Sequence, residues 1–311
     1  MNKRTLYTLL FILKTLIALG VLWFLYKKYC EFTKSYALSS NFWDWIPTQN
    51  QHLLALVLGL MTINWSLEAL KWNNLMRSIS TDSYLTSLSD VLRGISISIF
   101  TPNRNGEFIG RIYYVKNDCR VKALELYFVG SLAQQFYTVC FGFSALMFTP
   151  FYDSIKWIAF ILLAFTLLLI LNINRLLQFS SQLQFIKAKL SVLKNISSSV
   201  LTTIFIYSGL RYAVFFIQYI LLFKLFNVEV DLSIFLITIP SIFFIGSYVP
   251  SFALIEMGVK SLIAVYCFSN YSVNQHSVIM ASFLLWIINV AIPAFAGAFA
   301  WLFSNRINKS I

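Results

Sequence analysis

The chain has 311 residues, of which 59% are apolar and 12% charged, and its mean hydropathy is +0.73. That balance excludes a soluble globular domain and points to lipid as the solvent. A formal charge of +12 would suit nucleic acid, but the basic residues lie in loops between apolar runs and make no continuous basic face, so that class is excluded too.

Crossing about 30 Å of hydrocarbon takes roughly 20 apolar residues, and such runs recur along the whole length. The first, 5–26, is too long for the core of a secretory signal and has no small-residue cleavage site before Lys27 and Lys28. It reads as a retained span. Full spans follow at 53–71, 123–148, 155–173, 199–226 and 277–303, which makes six.

Two segments break the pattern. Residues 87–100 are apolar but too short to cross, and the polar stretch 101–118 follows at once. Residues 233–268 are apolar throughout, yet Pro250 divides them, with Gly246, Ser247 and Tyr248 just before it. Both read as broken, re-entrant hairpins. Unpaired N–H and C=O groups in hydrocarbon cost several kcal/mol each, so such breaks belong in an interior lined by protein or water. Between the fourth and fifth spans Leu176, Phe179, Leu183, Ile186, Leu190 and Leu193 recur at helical spacing. With the basic residues around them they predict an amphipathic helix on the inner surface over about 175–197.

The expected fold is therefore an all-α polytopic membrane protein, one membrane domain over 1–311. With both termini in the cytoplasm, most basic residues fall on the inner side, among them Lys3, Arg4, Lys71, Arg77, Arg104, Arg111, Lys116 and Arg120. Lys27, Lys28, Lys34, Lys156 and Lys224 fall outside. Span, span, hairpin, span then occurs twice, over about 5–148 and 155–303, the second copy running in the opposite direction. Pro102 is followed by Glu107 and Arg111, and Pro250 by Glu256 and Lys260, each with Glu to base at i+4. Inverted repeats with broken helices are the plan of many membrane transporters, whose substrates bind where the breaks meet.

The candidate site follows from charges in apolar surroundings. Arg93, Arg104, Arg111 and Arg211 offer guanidinium donors suited to a phosphate-bearing headgroup. Asn103, Asn105 and Gly106 would let the backbone turn and present N–H groups to the same anion. Glu107 and Glu256, if desolvated, would bind protons. The alternative is that Glu107–Arg111 and Glu256–Lys260 simply neutralise each other within their helices. Glu68 and Arg93 of the first half have a rough counterpart in Arg211 of the second. Gln134, Gln135 and Asn289 are expected to hydrogen-bond across helices, and Trp43, Trp45, Trp72 and Trp301 to sit in interfacial belts. The four cysteines and two histidines have no metal-ligand spacing. No metal, cofactor or disulfide framework is expected.

At this point the motifs resemble a family. The string Trp65-Ser-Leu-Glu68-Ala-Leu-Lys71-Trp72, the string Thr101-Pro-Asn-Arg-Asn-Gly-Glu-Phe-Ile-Gly-Arg111 and the Pro250 to Lys260 element are similar to the flippase-like membrane domain of lysylphosphatidylglycerol synthases. The Pro102 to Arg111 piece resembles the version in Bacteroidetes-type members, and the likeness covers nearly the whole chain. The second motif departs from the family form: Ile255 precedes Glu256, and Ser251 to Leu254 stand where glycines are usual. The resemblance implies movement of a lipid, or lipid-linked headgroup, between leaflets of a bacterial inner membrane. Membrane lipids and envelope-biosynthesis proteins are the implied partners. Because the sequence stops soon after its last apolar run, the soluble aminoacyl-transferase domain is expected to be missing, and with it lipid aminoacylation. The other readings are a non-transporting accessory protein for envelope assembly and a membrane-embedded transferase. The latter would have to rely on Glu107 or Glu256 alone as base.

Overall fold

A segment with no water around it must satisfy its backbone amides internally, and among the described residues of this computed structural model every regular element is helical. The structure describes Trp23, Lys27, residues 50–101, Arg104, and residues 106–148, 196–249 and 253–302. The predicted span 155–173 lies outside the described residues, as do Pro102, Asn103, Asn105, Pro250, Trp43 and Trp45. So do nearly all of 5–26 and of the amphipathic segment 175–197.

In chain order the helices are α1 (Gln51–Met76), α2 (Tyr84–Ser98), α3 (Glu107–Ile112), α4 (Arg120–Met147), α5 (Ser198–Leu225), α6 (Leu232–Tyr248), α7 (Ala253–Cys267), α8 (Gln275–Trp286) and α9 (Ile292–Leu302). A π-helical turn, Ile287–Ala291, joins the last two. Several starts are fixed by side-chain oxygens that take up otherwise orphaned amides. Ser83 accepts from the Thr86 N–H, Ser197 from the Val200 N–H and Asn274 from the His276 N–H.

Among the described residues, three helices are long and apolar enough to cross a membrane: α1, α5 and the continuous 28-residue run Gln275–Leu302. They mark the chain as a membrane protein. The predicted span 123–148 also forms a 28-residue helix, α4, yet it is not among the three. Ser131, Gln134, Gln135 and Thr138 interrupt its apolar surface, and all four line an internal cavity.

The two predicted breaks are two helix pairs. In the first, α2 and α3 pack against each other, and their backbones touch at Gly94 and Gly110. A Cβ on Gly94 would lie 2.6 Å from the Glu107 carbonyl oxygen, and one on Gly110 would lie 2.5 Å from that of Arg93. In the second, α6 packs against α7, and Pro240 inside α6 removes one ladder bond.

The halves interlock. Helix α1 packs along α5, while α2 of the first pair packs on α9 and α6 of the second pair packs on α4. Close approach is what joins helices when lipid tails are as apolar as the side chains. Each of the last two seams turns on one glycine. A Cβ at Gly142 would fall 2.3 Å from the Phe244 Cβ, and one at Gly297 would fall 2.0 Å from the Leu92 carbonyl oxygen. Both glycines stand 22 residues beyond the first residue of a 28-residue helix.

Two tryptophans depart from expectation. Trp72 and Trp301, expected in interfacial belts, are buried. The Trp301 Nε1–H donates to Ser96 Oγ at 3.0 Å. The Trp72 ring lies beneath the Arg111 guanidinium, 5.6 Å away. A buried indole needs a partner for its polar edge or a cation for its face, and those roles have taken both rings inward.

Candidate functional site

Glu68, on α1 and only 4% exposed, is the hub of the polar interior. An isolated carboxylate there would be prohibitively costly, and three cations from three helices surround it. The Lys71 ammonium lies 2.7 Å from Oε2 and the Arg111 guanidinium 2.7 Å from Oε1, while Arg211 of α5 also pairs with Oε2. Arg111 pairs again with Glu107, one turn earlier on α3. Lys71 donates to the Gly130 carbonyl of α4 at 3.3 Å. The Arg211 Nε–H donates to Asn64 Oδ1 at 2.8 Å, and its Nη1 to Gln134 Oε1 at 3.3 Å. Asn64 Nδ2 in turn donates to Asn289 Oδ1 at 3.4 Å.

The pairing repeats the register seen in the glycines. Asn64 and Arg211 each stand 13 residues into α1 and α5, and Gln134 and Asn289 each stand 14 residues into α4 and the Gln275–Leu302 run. Asn64 and Arg211 bond to each other, and each reaches the amide of the other half: Asn64 bonds to Asn289 and Arg211 to Gln134. Asn289 sits in the π-helical turn, a departure from α geometry that often accompanies functional positions.

Around this network lies a cavity of about 800 Å³. Every helix except α2 and α9 contributes to its wall. Five basic residues (Lys71, Arg104, Arg111, Arg211, Lys260) and three acidic ones (Glu68, Glu107, Glu256) line it. Glu256 and Lys260 of α7, in the second helix pair, form their own ion pair. Both i+4 pairs expected from the sequence therefore form, and both border the cavity. Arg111 does more than neutralise Glu107, because it also serves Glu68.

Most of the expected site residues meet here: Glu68, Arg104, Glu107, Arg111, Gln134, Gln135, Arg211, Glu256, Lys260 and Asn289 all line the cavity. Arg93 does not. It pairs with Asp90 at 2.7 Å, donates through Nε to the Ala300 carbonyl at 3.2 Å, and lies 4.6 Å over the Tyr114 ring. It fastens α2 to α9 and is unavailable to a headgroup in the cavity. Gly106 also differs from expectation. Its N–H donates to Thr101 Oγ1 at 2.8 Å, so it closes a turn and offers nothing to an anion. The left-handed residue of that turn is Arg104, at φ 59°.

Arg93→Lys gives a clean check on this division. It removes the Nε donor while keeping the charge, and hydrogen bonds involving charged groups contribute about 1.5–3 kcal/mol each. Thermal unfolding in mild detergent should show a loss of about 2 kcal/mol, with ligand binding in the cavity unchanged. A variant as stable as the parent would contradict the fastening role.

Sequence reading missed Asn64, which is fully buried between Arg211 and Asn289. Its signal was there: a lone amide in the middle of an apolar run. Lys71 was counted among inner loop residues, as were Arg104 and Arg111. All three belong to the cavity wall, because α1 runs on to Met76 and carries Lys71 inside. The orientation argument from basic loops rests on fewer residues as a result.

Comparison with family models, curated proteins and solved structures finds no match to the chain.

Proposed function

We propose that the protein moves a phosphate-bearing lipid, or a lipid-linked headgroup, between leaflets of a bacterial inner membrane, with both termini in the cytoplasm. The two helix pairs would be the re-entrant elements of an inverted repeat, and the cavity between them the headgroup site. One observation carries this reading: a cavity with charged side chains in an otherwise largely apolar wall, built by helices of both halves of a membrane protein, in which basic side chains outnumber acidic ones five to three. Buried charge of that kind is costly and in membrane proteins marks substrate pathways. The resemblance to the flippase-like domain of lysylphosphatidylglycerol synthases, carried by the Trp65 to Trp72 and Thr101 to Arg111 strings, points the same way.

The test is leaflet exchange of labelled anionic and zwitterionic lipids in liposomes holding the purified protein. The parent should exchange anionic lipid faster than protein-free liposomes. Arg111→Ala should return the rate to the protein-free value, and Glu107→Gln, which loosens Arg111, should slow it by about tenfold, the equivalent of 1.4 kcal/mol on the barrier. No exchange by the parent, or exchange indifferent to both substitutions, would overturn translocation in favour of a non-transporting envelope role.

A further inference from the structure

The cavity's charge balance and its donors narrow the ligand further, given the headgroup reading above. Among the described residues, pairing Glu68 with Lys71, Glu107 with Arg111 and Glu256 with Lys260 leaves two guanidinium charges, those of Arg104 and Arg211, with no carboxylate of their own. Arg211 is held by neutral amides and borrows from the shared Glu68. Among the described residues that line the cavity, buried donors without a hydrogen-bond partner include the Nε of Arg104, the Nε of Arg111, the Nε1 of Trp65 and the hydroxyl of Tyr212, against one such acceptor, Oε2 of Glu256. Buried N–H and O–H groups left without acceptors are costly, and these four from separate segments lining one cavity match a ligand rich in acceptors.

We infer that the cavity selects a headgroup ending in a phosphate monoester, a dianion, over a phosphodiester monoanion or a zwitterion. A monoester carries close to two negative charges once its second proton leaves near pH 6, and three terminal oxygens that only accept. It cancels both surplus guanidinium charges and gives acceptors to forked donors. A phosphodiester leaves one charge uncancelled in a poorly solvated wall, where the penalty is large. A zwitterion adds a cation to a site already positive.

The discriminating probes are dodecyl phosphate and dodecyl methyl phosphate, which share one alkyl chain and differ by a methyl group that caps one oxygen and removes one charge. Inorganic phosphate is the soluble arm. Binding to the full chain in phosphatidylcholine nanodiscs, measured calorimetrically at about pH 8, above the second ionisation near 6, should favour dodecyl phosphate by about tenfold or more. Lowering the pH to about 5 should remove the preference, because the monoester then carries a single charge. Arg104→Gln, in a turn rather than in a packed helix, should bring the ratio close to one. Arg93→Gln, outside the cavity, should keep it.

Equal affinity for the two alkyl probes overturns the dianion inference and leaves translocation to the exchange assay. Inorganic phosphate bound as tightly as dodecyl phosphate supports dianion recognition and overturns a lipid as its source. Binding of none of the three overturns the inference outright. A preference that survives Arg104→Gln overturns the assignment of the surplus charge.

Discussion

Glu68→Gln is expected to destabilise the folded chain by about 3–5 kcal/mol, the usual penalty for removing one partner of a buried ion pair. The substitution changes little in shape. It strips the shared carboxylate from Lys71, Arg111 and Arg211, each of which is also buried. Arg111 retains Glu107, and Arg211 retains Asn64 and Gln134, but Lys71 keeps only the Gly130 carbonyl. The loss should appear as a lowered unfolding midpoint in detergent at fixed composition. Adding Lys71→Met to Glu68→Gln removes the cation left with the fewest partners together with its carboxylate and should recover about half of the loss, since replacing both members of a buried pair is often close to neutral. A midpoint unmoved by Glu68→Gln would show that the three cations do not depend on Glu68.

Gly297→Leu is expected to cost about 3 kcal/mol, at the upper end of what overpacking a tight contact brings. At 2.0 Å from the Leu92 carbonyl oxygen even a Cβ is impossible unless α9 and α2 separate. The obstacle is backbone, which cannot rotate aside. Gly142→Leu should cost slightly less, because the Phe244 ring can rotate aside even though its Cβ, 2.3 Å from the added one, cannot. Gly258→Ala, with no atom within 4 Å of the added Cβ, should be neutral or stabilising by up to about 1 kcal/mol through helix preference. Unfolding midpoints of the three variants should fall in that order. Equal midpoints for Gly297→Leu and Gly258→Ala would remove the α2 and α9 seam from the account of stability.

How much of this was legible in the sequence depended on whether a signal was local. The long helices were, because a run of apolar residues announces itself, and their ends fell within a few residues of expectation except for α1. That exception had consequences. The polar character of Lys71 suggested a span end, whereas in the structure Glu68 one turn earlier and the Gly130 carbonyl of α4 make an interior lysine tolerable. The i+4 pairs of Glu107 and Glu256 were readable from spacing alone. Nothing in the order of residues showed that Arg93 would turn away toward Ala300, more than 200 residues on, while Arg111 turned toward Glu68. Trp72 and Trp301 were misread for the same reason: composition says where indoles usually lie, and only the fold shows which cations and hydroxyls reach them.

The exchange of seams between halves also bears on how such a chain is made. Helix α2 finds its packing surface on α9, across a stretch of 207 residues between Arg93 and Ala300. At synthesis rates of about 5–20 residues per second, the ribosome delivers that surface some tens of seconds after α2 has entered the bilayer. Until then Asp90, Arg93 and Ser96 wait with their charges and hydroxyls unsheltered by α9. The surface against which α2 packs is therefore complete only once Gly297 stands beside Leu92.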